Sequence, residues 1–186
     1  MSVERAGWSM LHGWLGSLLG AALALVCLAV LQPAGAQAQR QVVAPEFSLG
    51  GGLSLGNTEV GSVMRASPVF LEGVVNLWNT EQPDLVYGLG ARVELGGRVS
   101  AAALLRAAIH RELGPVSLRP SVGIPVFVAP FSLLGIEGAT AARYEFMEDI
   151  WAVGRVMVDA FFFGSDLPED GAVVMVNFAA GVEIKL

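Results

Sequence analysis

His110 is the residue of this sequence best suited to act as a general base, since it is the only histidine beyond the N-terminal apolar segment. In that role it would activate a serine hydroxyl for nucleophilic attack and would itself be oriented by a carboxylate. No serine lies at a spacing from His110 that forms a motif of this kind. We therefore predict that His110 is a polar structural residue and that the chain has no catalytic residues.

Three carboxylates crowd a short segment near the C-terminal end, Asp166, Glu169 and Asp170. Carboxylate oxygens are the ligands that hard divalent cations prefer, but this spacing is not that of a calcium-binding loop. Cys27 lies inside the N-terminal apolar run, which we expect to be removed, so no thiol remains to bind a metal. We predict neither a metal site nor a cofactor.

Ion pairing is the chemistry that the sequence supports, because acidic and basic residues recur at every second position between apolar ones. Arg92 and Glu94, for example, alternate with Val93 and Leu95. Residues of both signs at such positions would form one charged face with nearly balanced charge. The candidate members of this face are Glu46, Glu72, Arg92, Glu94, Arg106, Arg119, Glu137, Arg143, Glu145, Arg155, Asp159, Glu183 and Lys185.

These charges must be positioned by β-strands, since successive side chains of a strand point to opposite sides. The clearest strand is residues 172–186, in which one face is wholly apolar and the other contains Glu183 and Lys185. Turn residues separate about eight segments, most of which have the same two-residue period. We predict an all-β fold, an antiparallel up-and-down transmembrane β-barrel of about eight strands.

Two segments depart from the pattern. Residues 101–113 are rich in Ala, Leu and Arg and end before Gly114-Pro115, as a helix would, yet they also alternate. We predict a strand, because the neighbouring strands need a partner there, whereas a helix would break closure of the wall. Pro120 and Pro125 remove hydrogen-bond donors from the next segment, so we expect a bulge or a shortened strand.

Residues 1–38 have the layout of a secretory signal peptide, with Arg5, an apolar run, Pro33 and Ala-x-Ala pairs in that order. We predict cleavage near Ala36 or Ala38. Residues 39–186 would then form a single barrel domain of about 150 residues. An uncleaved helix is the alternative, because roughly eighteen apolar residues could just span a bilayer.

The composition distinguishes a membrane barrel from a soluble one. Charged residues make up 15% of the chain and the mean hydropathy is +0.60, whereas a soluble domain is typically about 25% charged. A lipid-facing surface must be free of charge, because a charged side chain at mid-bilayer costs about 2–4 kcal/mol. The net charge of −6 argues against a nucleic-acid partner. We therefore expect the apolar face to contact lipid and the charged face to line the lumen.

A barrel of about eight strands has an interior just wide enough for side chains to fill. Charges in so narrow a space must pair or stay hydrated, since unpaired burial is expensive. We expect an internal ion-pair network and no open pore. Aromatic residues near the predicted strand ends also fit an interfacial girdle, although they could be core residues of a soluble fold; they are Trp78, Tyr87, Tyr144, Phe146, Trp151 and residues 161–163.

Over residues 42–186 the chain resembles the small outer-membrane β-barrel proteins of Gram-negative bacteria, of the OmpA/OmpX type. The most specific feature is the C-terminal segment, in which Gly181 is followed by hydrophobic residues at the third and fifth positions after it, Ile184 and Leu186. This segment is similar to the family's C-terminal assembly signal. The family usually ends in Phe or Trp, and this chain ends in leucine.

The resemblance implies a location in the outer membrane, with outer-membrane lipid around the barrel, both termini in the periplasm and the barrel assembly machinery as a partner. It implies a non-enzymatic role, structural or in surface interactions, and it indicates no ligand. The predicted outer loops are short, which argues against a large adhesive surface. Two alternatives remain, a soluble periplasmic β-barrel that binds an apolar ligand and a lipid-modifying barrel enzyme that uses His110.

Overall fold

The computed structural model describes residues 41–58, 61–96, 98–165, 167 and 172–186. The predicted signal peptide lies outside the described residues, as do Asp166, Glu169 and Asp170. Every element in the described ranges is a β-strand, and none of these residues forms a helix long and apolar enough to cross a membrane. The strands are β1 (Gln41–Thr58), β2 (Gly61–Ala66), β3 (Val69–Asn79), β4 (Gln82–Leu95), β5 (Val99–Ile109), β6 (Arg111–Leu113), β7 (Val116–Ala129), β8 (Leu133–Met147), β9 (Ile150–Gly164) and β10 (Val173–Ile184).

These strands form a closed barrel with eight strand positions. Strands β2 and β3 pair with successive parts of β1 and together fill one position. Strands β5 and β6 pair with successive parts of β7 and together fill another. All neighbours are antiparallel, and β10 pairs with β1 over Glu46–Gly56 to close the barrel. The predicted all-β antiparallel barrel of about eight strands is confirmed.

The two-residue period of the sequence decides which side chains point outward. On β9, Val156 and Val158 are exposed on the outside of the wall, while Arg155 and Asp159 are buried inside. On β5 the same alternation exposes Leu105 and buries its neighbours. Residues 101–113 therefore form strand rather than helix, because alternate burial satisfies both faces and the backbone pairs with β4 and β7.

The prolines of β7 are accommodated without shortening the strand. Pairing with β8 keeps its register on both sides of Ile124 and Pro125, where no paired residues occur. Pairing with β5 stays in register through Pro125, and its bulge lies beyond that proline, between the Ala102–Phe127 and Ala101–Ala129 pairs. The expected bulge at the prolines and the expected shortened strand are therefore both wrong, since β7 is fourteen residues long.

Both ends of the described chain lie at the same end of the barrel, which we call the terminal end. It includes the β3–β4 turn, the Gly114-Pro115 turn and the Glu148-Asp149 turn. The opposite, distal end contains the connections that follow β1, β4, β7 and β9. The connection after β7 spans only residues 130–132, and the one after β4 only residues 96–98.

Glycines allow β1 and β10 to approach each other where the barrel closes. A Cβ atom on Gly52 would overlap the carbonyl oxygen of Val176 and come within 2.8 Å of the Cα of Asn177. A Cβ on Gly181 would overlap the carbonyl oxygen of Phe47. The glycine-rich segment of β1 therefore serves close packing of the closing strands.

Candidate functional site

Arg92 lies at the centre of a group of charges inside the barrel and is completely buried. Its Nε donates to Glu72 at 3.0 Å, its Nη1 to Asp159 at 3.0 Å and its Nη2 to Glu137 at 2.9 Å. The guanidinium also lies 4.7 Å from the ring centroid of Phe70. Because β4 contributes the arginine while β3, β8 and β9 contribute the carboxylates, these contacts link strands across the lumen.

Two more arginines extend this group. Arg106 donates from Nη2 to both Glu72, at 3.0 Å, and Glu137, at 2.8 Å. Arg155 donates to Glu72 at 2.8 Å and to Glu46 at 2.8 Å. Charge-assisted and partly bidentate contacts of this kind are the strong class of hydrogen bond.

We call these residues the central network, and it contains more negative than positive charge. Its members are Arg92, Arg106, Arg155, Glu46, Glu72, Glu137 and Asp159, that is, three guanidiniums and four carboxylates, all buried. Asp159 and Glu46 each have a single cationic partner, Arg92 for Asp159 and Arg155 for Glu46. Asp159 Oδ2 also accepts from Asn177 at 3.0 Å, while its Oδ1 has no hydrogen-bond partner among the described residues.

A second charged group lies nearer the terminal end, and here the excess is positive. Glu183 accepts from Arg119 at 2.7 Å and also from Arg143, so one carboxylate serves two guanidiniums. Each guanidinium stacks on an indole ring, Arg119 on Trp78 at 5.7 Å and Arg143 on Trp151 at 4.7 Å. We call these five residues the terminal cluster.

The two charged groups are connected by the side-chain amide of Asn76, which was not among the predicted members of the charged face. Asn76 Nδ2 donates to Glu183 at 2.9 Å and to Glu46 at 3.2 Å. Its position on the inward face of β3 follows from the same alternation that places Glu72 inside. Inward-facing amides were therefore a usable signal, since a buried carboxylate needs donors beyond its ion-pair partners.

Three predicted members of the charged face lie apart from both groups. Glu94 is buried and accepts a hydrogen bond from Ser100 at 3.0 Å. Glu145 is exposed at the terminal end, and its Oε1 accepts from the backbone amide of Asp149. Lys185 is also exposed and pairs with Asp149 at 3.0 Å. The last two lie where their strands leave the barrel, so their side chains reach solvent instead of the lumen.

The distal part of the lumen contains apolar side chains. Ala102, Phe127, Leu133 and Phe161 form a buried cluster on the inward faces of four strands. The rings of Phe127 and Phe161 meet edge to face with centroids 5.4 Å apart. This layer was not predicted from the sequence, although Phe161 follows Asp159 by two residues and therefore lies on the same face of β9.

The aromatic girdle predicted from the sequence is partly wrong. Tyr87 and Tyr144 are exposed on the outside, as a girdle requires. Trp78 and Trp151, by contrast, face inward onto arginines, and Phe161 is completely buried. The alternation places these three on the same strand faces as the internal charges.

His110 lies between β5 and β6 at the terminal end and is partly buried. Its Nε2 is 4.0 Å from the carboxylate of Glu112, and its Nδ1 has no hydrogen-bond partner among the described residues. A serine–histidine–carboxylate arrangement therefore does not form around His110 in this part of the chain. Nor do the described residues contain a group of three or more histidine, cysteine or acidic side chains able to hold a metal ion.

The residues of the predicted assembly signal lie at the end of β10. Gly181 packs against β1 at the point of closure, and Ile184 is the last residue of the strand. The backbone amide of Leu186 donates to the carbonyl of Val43 at 2.9 Å, so pairing with β1 continues beyond the strand.

The apolar residues of the wall form an exposed surface around the barrel. Large side chains such as Phe47, Leu105 and Ile136 are each more than half exposed. A water-soluble protein rarely exposes so extensive an apolar surface, whereas a membrane barrel requires it. The arrangement of an apolar outer face and a charged inner face is that of a membrane-spanning barrel.

No protein-family model and no curated protein matches this chain in sequence. In fold it is similar to the crystal structure of neisserial surface protein A, with a TM-score of 0.51 and 10% identity over 78% of this chain and 97% of that one. A weaker likeness, with a TM-score of 0.46 and 15% identity, links 80% of this chain to 100% of the N-terminal β-barrel domain of Pseudomonas aeruginosa OprF. The predicted fold, a small barrel of the outer-membrane type, is confirmed.

Proposed function

We propose that this protein is a non-enzymatic β-barrel of the Gram-negative outer membrane whose lumen is filled by side chains and whose role in the envelope is structural. The observation that carries the proposal is the central network. It joins β1, β3, β4, β5, β8 and β9 across the interior through buried guanidinium–carboxylate contacts. A lumen occupied in this way is suited to stiffening the wall and not to passing solutes.

The distal apolar cluster supports the same role. Phe127 and Phe161 are almost completely buried, and Phe131 and Met175 pack against their cluster. Removal of water from this end of the interior would oppose a continuous aqueous path. The barrel would be inserted by the assembly machinery, which would read the last strand, and its outer face would contact outer-membrane lipid.

A surface-interaction role is the second form of this function. The β4–β5 and β7–β8 connections at the distal end are only about three residues long. These two connections would therefore offer a partner little surface. We favour the structural role for this reason.

The two alternative functions fit the geometry less well. A soluble barrel that binds an apolar ligand needs its apolar face inside, but the described barrel has that face outside. A lipid-modifying enzyme that uses His110 would need a nucleophile beside it. Replacing His110 with alanine and measuring lipid A acylation tests this second alternative, and we expect an unchanged acyl profile.

Planar-bilayer recording of the purified full-length chain tests the filled lumen. We expect no steady conductance of porin size. As a matched comparison, the same recording on Phe127→Ala and Phe161→Ala in one chain should show at most brief openings, since the central network remains. A steady, porin-sized conductance of the unmodified protein would contradict the proposal.

A further inference from the structure

A cavity of about 380 Å³ opens at the terminal end of the barrel beside the terminal cluster. Its polar lining includes Arg119, Arg143, His110 and Lys185, and its walls include Trp78 and Trp151. None of these residues takes part in the central network. The cavity therefore needs an explanation separate from the structural role proposed above.

Two buried guanidiniums beside this cavity share one directly bonded carboxylate. Arg119 and Arg143 are each about 96% buried. Both donate to Glu183, which already accepts from Asn76 as well. The next carboxylate, Glu46, lies beyond the amide of Asn76, so an acceptor in the cavity would give the two guanidiniums a second, nearer partner.

Hydrogen-bond donors are left over at the same place. The Nε atoms of Arg119 and Arg143 have no partner among the described residues, although each is shielded from solvent. The Nδ1 of His110, which donates or accepts according to the tautomer, also has no partner among the described residues. Buried donors in native proteins are almost always satisfied, so the two orphaned Nε–H groups show that these guanidiniums have donor capacity that the described residues do not use.

The geometry holds the guanidiniums in place in advance. Trp78 and Trp151 support the two guanidinium planes from opposite parts of the wall, and Ser117 accepts from Arg143 at 3.5 Å. Planar guanidiniums fixed in this way match the oxygens of a carboxylate or a phosphate. Two acids also line the cavity, Glu112 and Glu145, but both are exposed at its rim, where water and salt screen their repulsion of an entering anion.

We propose that the cavity at the terminal end binds a small oxyanion, a phosphate or a carboxylate, between Arg119 and Arg143. The oxyanion supplies the negative charge and the acceptors that Glu183 alone does not provide. Since the terminal end would face the periplasm, the ligand would be a soluble anion of that compartment.

Tryptophan fluorescence offers a direct test. Of the four tryptophans of the chain, Trp8 and Trp14 lie in the predicted signal peptide, so the exported protein keeps only Trp78 and Trp151, both of which line the cavity. Sodium phosphate is titrated into this protein in detergent micelles, with sodium chloride keeping the ionic strength constant. We expect a saturable change in emission that chloride alone does not produce.

The decisive variants are Arg119→Gln and Arg143→Gln. Each leaves Glu183 paired one to one with the other arginine, so the barrel should still fold and migrate as a compact species on an unheated gel. Each should weaken phosphate binding by about tenfold or more, the effect expected for loss of a charge-assisted hydrogen bond. The control is Arg111→Gln, an exposed arginine at the same end that pairs with Asp84 at 2.6 Å outside the cavity and should bind normally.

Acetate competition identifies the source of the oxyanion. Competition indicates a site for carboxylates as well, and its absence indicates a site for phosphates, both of which agree with the proposal. The absence of a saturable response in the parent protein, or an affinity in both glutamine variants equal to that of the parent, would overturn it. If a variant fails to fold, the urea midpoint of the parent protein decides, because phosphate bound at the site should raise it at millimolar concentrations, at which exclusion of phosphate from the protein surface has little effect.

Discussion

Replacing Arg92 with methionine tests the charge balance of the central network. The change removes one of three guanidiniums and leaves four carboxylates. Glu72 keeps Arg106 and Arg155, and Glu137 keeps Arg106. Asp159 keeps only the amide of Asn177. The loss therefore falls on one buried carboxylate.

The expected magnitude follows from that arrangement. Breaking a buried ion pair by removing one partner costs about 3–5 kcal/mol, and we expect the lower part of this range because two of the three carboxylates keep other arginines. Asp159→Asn alone should cost about 1 kcal/mol or less, since it leaves three guanidiniums opposite three carboxylates and its amide oxygen still accepts hydrogen bonds. Adding Asp159→Asn to Arg92→Met should therefore recover about 1–2 kcal/mol of stability.

Equilibrium urea unfolding in lipid vesicles measures these free energies, with tryptophan emission and unheated gel migration as the two probes. Arg111→Met is the matched control, because it removes an exposed arginine whose partner is Asp84. It should change stability by no more than about 0.5 kcal/mol. Two results would contradict this charge balance: a cost for Arg92→Met as small as that of the control, or a further loss of stability when Asp159→Asn is added to Arg92→Met.

Three further predictions concern the wall and the distal cluster, and the same unfolding assay checks each of them. Leu105→Arg places a charge on the lipid-facing side near the middle of β5 and should lower the free energy of unfolding by about 2–4 kcal/mol. Leu113→Arg, near the terminal end, should lower it by only about 0–1 kcal/mol. Equal effects of the two changes would contradict the membrane position. Gly52→Ala forces a Cβ against the backbone of β10 and should cost about 1–3 kcal/mol, while Gly154→Ala, with nothing within 4 Å of its Cβ, should be neutral. Phe161→Ala should cost about 3–5 kcal/mol if the distal cluster is packed as described, and a neutral result would show that it is not.

The sequence was sufficient to predict which face of each strand carries charge. Inward side chains recur at every second position, and the structure buries the four charged residues for which this period is clearest, Glu72, Arg92, Arg155 and Asp159. Strand alternation is a local property of the chain, so it can be read from the sequence alone. The strand at residues 101–113 follows from the same property, against the helix propensity of its alanines and leucines.

The partners of each charge could not be predicted in the same way. Glu72 and Arg92 are directly opposite each other in the β3–β4 ladder. Arg92 also contacts Asp159 and Glu137, which lie on strands that are not its neighbours. Such contacts depend on the stagger between strands and on closure of the barrel, which are set by the whole wall. The exposed positions of Glu145 and Lys185 depend likewise on where the strands end.

The two-residue period of the strands predicts that Trp78 and Trp151 point inward, but the usual location of tryptophan at membrane interfaces predicts the opposite. Trp78 follows Asn76 by two positions and Trp151 precedes Val153 by two, so both share the inward face. Tryptophan is common at membrane interfaces, and that tendency favoured an outward position. The arginines they stack on come from β7 and β8, a pairing that only the closed structure reveals.

Unheated and boiled samples of fractionated cells, compared on a detergent gel, show whether the protein is a closed membrane barrel with an apolar outer face. A closed barrel resists unfolding in mild detergent. We expect the protein in the outer-membrane fraction, and we expect the unheated form to migrate faster than the boiled form. A single unshifted band in the soluble periplasmic fraction would contradict this expectation.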